Sequence, residues 1–234
     1  MAVCLITGAN RGIGLELARQ LAARGDSVIA ACRTSSPALD ALGARVESGV
    51  EVSDAASVAD LAKRLAGQRL DVLINNAGVL RVESLDAMNF DSIAQQFEVN
   101  AMGPLRVTST LAPLLAQGAK VAIITSRMGS MGDNGDVVSA LVGPEGPGTW
   151  LPRSSPRMSK AAVNAAGVSL ARDLKGRGIP VGLFHPGMVA TEMTGKNGIP
   201  PEEAARGVIA RIDALSLETS GKFVHAVTGE ELPW

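Results

Sequence analysis

Hydrophobic residues recur along this chain in two alternating rhythms. Residues 2–7 are a short apolar run, and after a glycine-rich stretch Ile13, Leu17, Ala18, Leu21 and Ala22 return at helical spacing. Gly25 stops that helix, and residues 27–32 read as a second strand. Residues 45–52 give a third, after which Ser53 and Asp54 cap a helix over Val58, Leu61, Ala62 and Leu65. A fourth strand covers 70–75, a long helical stretch 92–116 is interrupted near Gly103-Pro104, and a fifth strand covers 120–125. A helix over 159–175 ends at Gly176 and Gly178, a sixth strand covers 180–185, a helix 201–214 and a last strand 222–227. Apolar strands separated by helices imply βαβ units. The predicted fold is α/β, a doubly wound parallel sheet of about seven strands with helices on both faces. No linker, charge block or repeat divides the 234 residues, so one domain over 1–234 is expected. The long stretch without periodicity is 127–157, with six glycines and three prolines between Gly129 and Pro152. It reads as an inserted loop at the C-terminal end of the fifth strand, where such sheets place their ligands.

Composition narrows the function classes. Lys and Arg number 22 against 23 Asp and Glu, so the basic excess of a nucleic-acid or anionic-membrane binder is missing. No apolar run reaches the ~18 residues of a membrane helix, and no basic segment precedes the first apolar run as a secretory signal would require. Two cysteines, Cys4 and Cys32, read as buried thiols of a reduced, cytoplasmic protein. His185 and His225, the two histidines, have no clustered carboxylates, so no metal site is predicted, and His185 reads as a turn cap. Tyrosine is absent, where usage near 3% would give roughly seven.

The stretch Thr7-Gly8-Ala9-Asn10-Arg11-Gly12-Ile13-Gly14 joins the first strand to the first helix. Glycines there let the backbone turn sharply and approach a pyrophosphate, and a helix N-terminus offers free N–H groups and a positive dipole end. Dinucleotide folds that use NAD tend to end the second strand on an acidic residue; this chain has Arg33, with Arg11 in the loop. Two guanidinium groups with no adjacent carboxylate suit a 2′-phosphate, so NADP(H) is favoured over NAD(H).

The TGxxxGIG spacing and Asn75-Asn76-Ala77-Gly78 after the fourth strand resemble the short-chain dehydrogenase/reductase family along the whole chain. The stretches Asn100-Ala101-Met102-Gly103-Pro104-Leu105, Thr125-Ser126-Arg127-Met128-Gly129-Ser130, Arg157-Met158-Ser159-Lys160-Ala161-Ala162, His185-Pro186-Gly187 and Pro233-Trp234 resemble its C-factor branch, related to sniffer-type carbonyl reductases. The resemblance implies a Rossmann-type sheet and maps Asn100, Ser126 and Lys160 onto three catalytic positions. It also implies that Gly8, Asn10, Arg11, Gly12, Ile13, Gly14 and Arg33 contact the cofactor. Glu51 and Val52 would flank the adenine, while Asn75, Ala77, Gly78 and Lys160 line the cofactor. Pro186, Gly187, Val189 and Thr191 would hold the nicotinamide end. Hydride transfer to a ketone needs a proton donor and a group that polarises the oxygen. A serine can position the carbonyl, a lysine can hold ribose hydroxyls and lower a donor's pKa, and an asparagine side chain can anchor a water.

The family's tyrosine lies four residues before its lysine. Here that position is Pro156, which has no proton to give, and neighbouring Ser155 and Ser159 are poor replacements for a phenol. A general acid contributes about 10²–10⁴ in rate, so its loss implies a slow reductase at best. The inserted loop brings Asp133, Asp136 and Glu145 as substitute acids or plain surface carboxylates, and Trp150 and Leu151 as a lid or a partner contact. Met128, Met131, Met158, Met188 and Met193 fall near the substrate side and suit a small apolar carbonyl compound. Three functions remain open. The first is an atypical oxidoreductase whose proton comes from water on Lys160 or from a loop acid. The second is a catalytically deficient cofactor-binding protein with a signalling, regulatory or assembly role; the third is a non-redox lyase or isomerase. The resemblance also implies a homodimer or homotetramer paired through the helices over 92–116 and 159–175.

Overall fold

Alternation along each strand decides which face a residue covers. The computed structural model describes residues 1–81, 83, 86–133 and 154–234, with the backbone alone at 154 and 155. Its strands are β1 Val3–Thr7, β2 Ser27–Ala31, β3 Arg45–Glu47, β4 Leu70–Asn75, β5 Leu115–Ile124, β6 Val181–His185 and β7 Phe223–His225. They form a parallel seven-stranded sheet in the order β3-β2-β1-β4-β5-β6-β7. This is the Rossmann-like α/β architecture that the alternating rhythms predict. The chain steps outward from β1 to β3 and then crosses back to lay β4 on the other side of β1. That reversal opens a crevice at the C-terminal ends of β1 and β4.

The helices among the described residues are α1 Gly12–Ala23, α2 Pro37–Asp40, α3 Ala55–Arg64, α4 Phe90–Phe97, α5 Gly103–Leu111, α6 Ser154–Lys175 and α7 Pro201–Ala214. Cys4, Ile6, Ala30, Ile74 and Ile124 point to one face, where Leu17 and Leu21 of α1 and Val208 and Ile212 of α7 bury them. Leu5, Ile29, Leu73 and Ile123, one residue out of phase, meet Val58, Leu61, Val107, Leu111, Val163 and Leu170 on the other. Both cysteines are free and buried, and burial pushes the Cys4 thiol up to about 12. Among the described residues no helix is long and apolar enough to cross a membrane, and no cluster of metal-ligating side chains occurs.

Helix starts follow local chemistry. Asp54 accepts from the Ala56 N–H at 2.9 Å, and Asn89 from the Ser92 N–H at 2.9 Å. The stretch 92–116 departs from a single helix with one break. It divides into α4, a π-helical turn over Glu98–Met102, α5 and a 3₁₀ turn over Ala112–Leu114. Pro104 has no N–H for the carbonyl of Asn100, so the regular hydrogen-bond ladder cannot run through this point. Residue 116, predicted helical, lies in β5, which starts at Leu115 and pairs it with Leu70 ahead of a register shift. β3 stops at Glu47 because Gly49 turns away at φ 75° and donates to the Arg33 carbonyl at 3.0 Å. α6 starts five residues earlier than the predicted 159, so 154–157 belong to a helix and not to the loop.

Candidate functional site

The first turn of the site is built on close backbone approach. Thr7 ends β1, and its Oγ1 accepts from the N–H groups of Asn76 and Ala77, both at 3.1 Å, tying the ends of β1 and β4 together. Gly8 follows at φ 68°, where a Cβ would lie 2.8 Å from the Ala77 Cα. At Gly14 a Cβ would meet the Gly8 carbonyl oxygen at 2.3 Å and Asn76 Nδ2 at 2.5 Å. The loop therefore folds tightly on itself and leaves its backbone at the N-terminus of α1. The N-cap residue Arg11 makes no side-chain capping bond to the first amides of that helix. Free amides at a positive dipole end, with a guanidinium beside them, fit the pyrophosphate of a dinucleotide.

A cleft of about 1610 Å³ runs from this loop across the C-terminal ends of the strands. It takes in Gly8, Asn10, Arg11, Gly12, Ile13 and Gly14, then Arg33, Glu51 and Val52, then Ala77 and Gly78. At its far end lie Asn100, Ser126, Pro156 and Lys160, with Pro186, Gly187, Val189 and Thr191 along one wall. Asn75 is a correction. It is buried beneath the cleft and donates to Thr108 Oγ1 at 3.0 Å, because alternation at the end of β4 turns it into the core. Its neighbour Asn76 faces the cleft instead, donating to the Thr7 and Gly8 carbonyls at 3.0 and 3.1 Å. The absence of a carboxylate beside the two arginines is also corrected. Arg11 pairs with Glu192, and Arg33 Nη1 lies 3.6 Å from Glu51 Oε2. Residues distant in sequence supply one of these partners, which adjacency could not reveal. Exposed pairs of this kind are worth up to about 1 kcal/mol, a small barrier to an anion that takes both guanidinium groups.

At the far end, Ser126 caps a 3₁₀ turn over Arg127–Gly129, its Oγ accepting from the Met128 N–H at 3.2 Å. Its own O–H remains a donor. Lys160 on α6 donates from Nζ to the Ile124 carbonyl at 2.9 Å, and burial pulls its ammonium down to about 8. Gly129 lets the Ser126 turn close on α6, since a Cβ there would sit 2.7 Å from the Lys160 backbone carbon and oxygen. Pro156 lies in the cleft one helical turn before Lys160. Ser159 Oγ donates to the Pro156 carbonyl at 3.1 Å and accepts from Asn100 Nδ2 at 3.1 Å, away from solvent.

Asn100 does not hold out a free amide for a water. Its Oδ1 accepts from the Val79 N–H at 2.9 Å, and Nδ2 donates to the Val79 carbonyl and Ser159. The side chain locks the loop after β4 to α6. Asp133 is committed too, bound to Arg127 Nε at 2.6 Å. Asp136, Glu145, Trp150 and Leu151 lie outside the described residues. His185 lines the cleft, and its Nδ1 is buried without a hydrogen-bond partner among the described residues. Burial, then the charges of His225, Arg127 and Lys160, push its pKa down to about 3, so the ring is neutral at ordinary pH. It stacks edge-on against His225 at 5.0 Å. Met128, Met188 and Met193 line the cleft, whereas Met131 and Met158 do not and are exposed.

The family model for short chain dehydrogenases matches residues 2–139, more than half of the chain. This chain is a member of the short chain dehydrogenase family. It is similar to 1-hydroxy-2-glutathionyl-2-methyl-3-butene dehydrogenase of Rhodococcus sp. (strain AD45), with 43% identity over 241 residues covering 100% of both chains. It is similar to the C-signal protein of Myxococcus xanthus, with 42% identity over 169 residues, 70% of this chain and 93% of that protein. Among solved structures, the NADPH-bound carbonyl reductase from chicken fatty liver superposes at a TM-score of 0.87 with 27% identity, covering 100% of this chain and 99% of that one. In this chain, sequence reasoning missed Asn76, His185 and Arg127 as cleft residues. Asn76 stood inside the quoted Asn75-Asn76-Ala77-Gly78 motif, so strand alternation was a usable signal; the other two depend on tertiary packing.

Proposed function

We propose that this protein binds NADP(H) in the cleft and interconverts a carbonyl compound and its alcohol without the family's tyrosine. The observation that carries the reading is the cleft itself, which joins an uncapped, glycine-cradled helix N-terminus to a far end holding Ser126 beside Lys160. Bound NADPH supplies a hydride to the carbonyl carbon. The chain's own part is to hold the pyrophosphate on the amides of residues 12–14 and the 2′-phosphate on Arg11 and Arg33. Asn76 fixes the Gly8 carbonyl, keeping the loop in the shape that admits the phosphates. The Ser126 O–H donates to the substrate oxygen and orients the carbonyl, while Met128, Met188 and Met193 offer an apolar wall. Support for the reaction class comes from a full-length relative at 43% identity that is a dehydrogenase of a hydroxy compound. Support for the cofactor comes from a similar structure with NADPH bound.

Arg33 carries the preference between cofactors. A charge-assisted hydrogen bond is worth about 1.5–3 kcal/mol, so Arg33→Ala is expected to weaken NADPH binding about tenfold or more and leave NADH binding unchanged. Fluorescence titration of both cofactors checks this, and equal losses for the two would place Arg33 away from the 2′-phosphate.

Pro156 favours a second reading, a cofactor-binding protein that has lost turnover and serves signalling or assembly, in keeping with similarity to the C-signal protein. Titration with NADPH followed by addition of diketones and quinones tests the choice. Saturable binding with oxidation of NADPH supports the oxidoreductase, and saturable binding without oxidation supports the second reading.

A further inference from the structure

The oxidoreductase reading leaves one requirement unfilled, the proton that the substrate oxygen takes up on reduction. We propose that Lys160 itself gives that proton, so that the ammonium Nζ of α6 is the general acid of carbonyl reduction and the free amine the general base of alcohol oxidation.

The geometry reaches this assignment by elimination and by position. Pro156, one turn before Lys160 and in the same cleft, has no exchangeable hydrogen on its side chain. Ser159 is buried and bonded to the Pro156 carbonyl and Asn100. Asn100 is spent on Val79, and Asp133 on Arg127. Ser126 has a hydroxyl proton to share, but an alkoxide left in its place would be far too basic to form at neutral pH. Lys160 remains. Among the described residues its Nζ makes one hydrogen bond, to the Ile124 carbonyl at 2.9 Å, which anchors the head group and leaves two N–H bonds. Ile124 ends β5 two residues before Ser126, so the anchored ammonium and the serine flank the same end of the cleft.

The surroundings suit proton transfer. Sharing this cleft with Lys160 are Ser126 and Arg127 from the turn after β5, His185 from the end of β6, Asn100 from the π-helical turn and Pro156 from α6 itself. No carboxylate among the described residues forms a salt bridge with it. Burial of the head group raises its acidity, to about 8 against an ordinary lysine value of 10.5. An acid near the working pH combines a substantial protonated fraction with a strong drive to donate. On reduction the carbonyl π pair moves to oxygen, which takes H⁺ from Nζ, and the amine recovers H⁺ from water. One proton is consumed for each carbonyl reduced and each NADPH oxidised. Oxidation runs the same path backward, with the free amine accepting the hydroxyl proton.

The experiment combines pH–rate profiles, a direct titration and chemical rescue. In the native protein, kcat/KM for reduction of a diketone is expected to be flat at low pH and to fall tenfold per unit above about 8. Oxidation of the corresponding alcohol should rise to a plateau through the same midpoint. In the cofactor-free protein, the lysine side-chain NMR resonance that disappears in Lys160→Met is expected to titrate well below the other lysines. Lys160→Arg keeps the charge but cannot release a proton at these pH values. It is expected to lose at least about 100-fold in turnover and the break in the profile, with NADPH affinity within a few-fold. Added primary amines should restore reduction in Lys160→Ala, with rates that follow amine pKa. Retention of the native profile by Lys160→Arg, or movement of the break by Asp136→Asn or Glu145→Gln in place of Lys160 changes, overturns the assignment and leaves the oxidoreductase reading standing. Absence of any oxidation by the native protein with NADPH bound overturns that reading, and the acid role with it.

Discussion

A Gly14→Ala protein is expected to bind NADPH at least about 100-fold more weakly than the native chain and to melt several degrees lower. The added methyl would stand 2.3 Å from the Gly8 carbonyl oxygen and 2.5 Å from Asn76 Nδ2. Neither obstacle can turn away cheaply. The Gly8 oxygen is backbone and accepts from Asn76, whose side-chain nitrogen also bonds the Thr7 carbonyl. Relief requires the loop to lift from the end of β4, and that movement carries the amides of residues 12–14 out of line with the phosphates. Overpacking of this sort costs about 1–3 kcal/mol, which in a chain of this size is several degrees of melting temperature. Gly176→Ala is the matched control, since a Cβ there meets nothing within 4 Å. Calorimetry and fluorescence titration on the two variants read stability and affinity separately, and near-native affinity in Gly14→Ala would contradict the cradle.

The second large effect belongs to the other end of the cleft. Gly129→Ala places a methyl 2.7 Å from the Lys160 backbone carbon and oxygen and 2.9 Å from Asn164 Nδ2. The turn carrying Ser126 must then separate from α6, which carries Lys160. A displacement near 1 Å between reacting groups costs about 10² in rate, so turnover is expected to fall about 100-fold. Cofactor affinity should change little, because the phosphate-binding loop lies at the opposite end. Steady-state kinetics beside NADPH titration distinguishes this from general unfolding, which would remove both.

Much of this architecture is visible in the chain before any coordinates. Strand β4 and helix α7 stand where hydrophobic rhythm put them, because a parallel sheet buried on both faces demands long apolar strands whatever its loops do. The 92–116 stretch shows the limit. Its apolar spacing is helical throughout, yet Pro104 and Pro113 divide it, and pairing of Leu115 with Leu70 draws its last residues into the sheet. In the site, the glycine loop was readable because its spacing reflects close backbone contacts within one short segment. Asn75 and Asn76 were not separable by motif alone; only the phase of β4 decides which of the two faces the cleft. The pairing of Arg11 with Glu192 spans 181 residues, and the Val79 contacts that absorb Asn100 depend on a loop conformation. Such tertiary partners leave no local signal.

The central claim is that this cleft both holds a nicotinamide cofactor and transfers hydride without a tyrosine. Its most direct test follows NADPH absorbance with diketones and quinones in the native protein and in Pro156→Tyr, each first shown by titration to bind NADPH. Oxidation by the native protein, with a changed rate in the variant, is the predicted result. Saturable binding with no oxidation in the native protein, and turnover appearing only once the phenol is supplied, would contradict the account and assign the chain a role in binding alone.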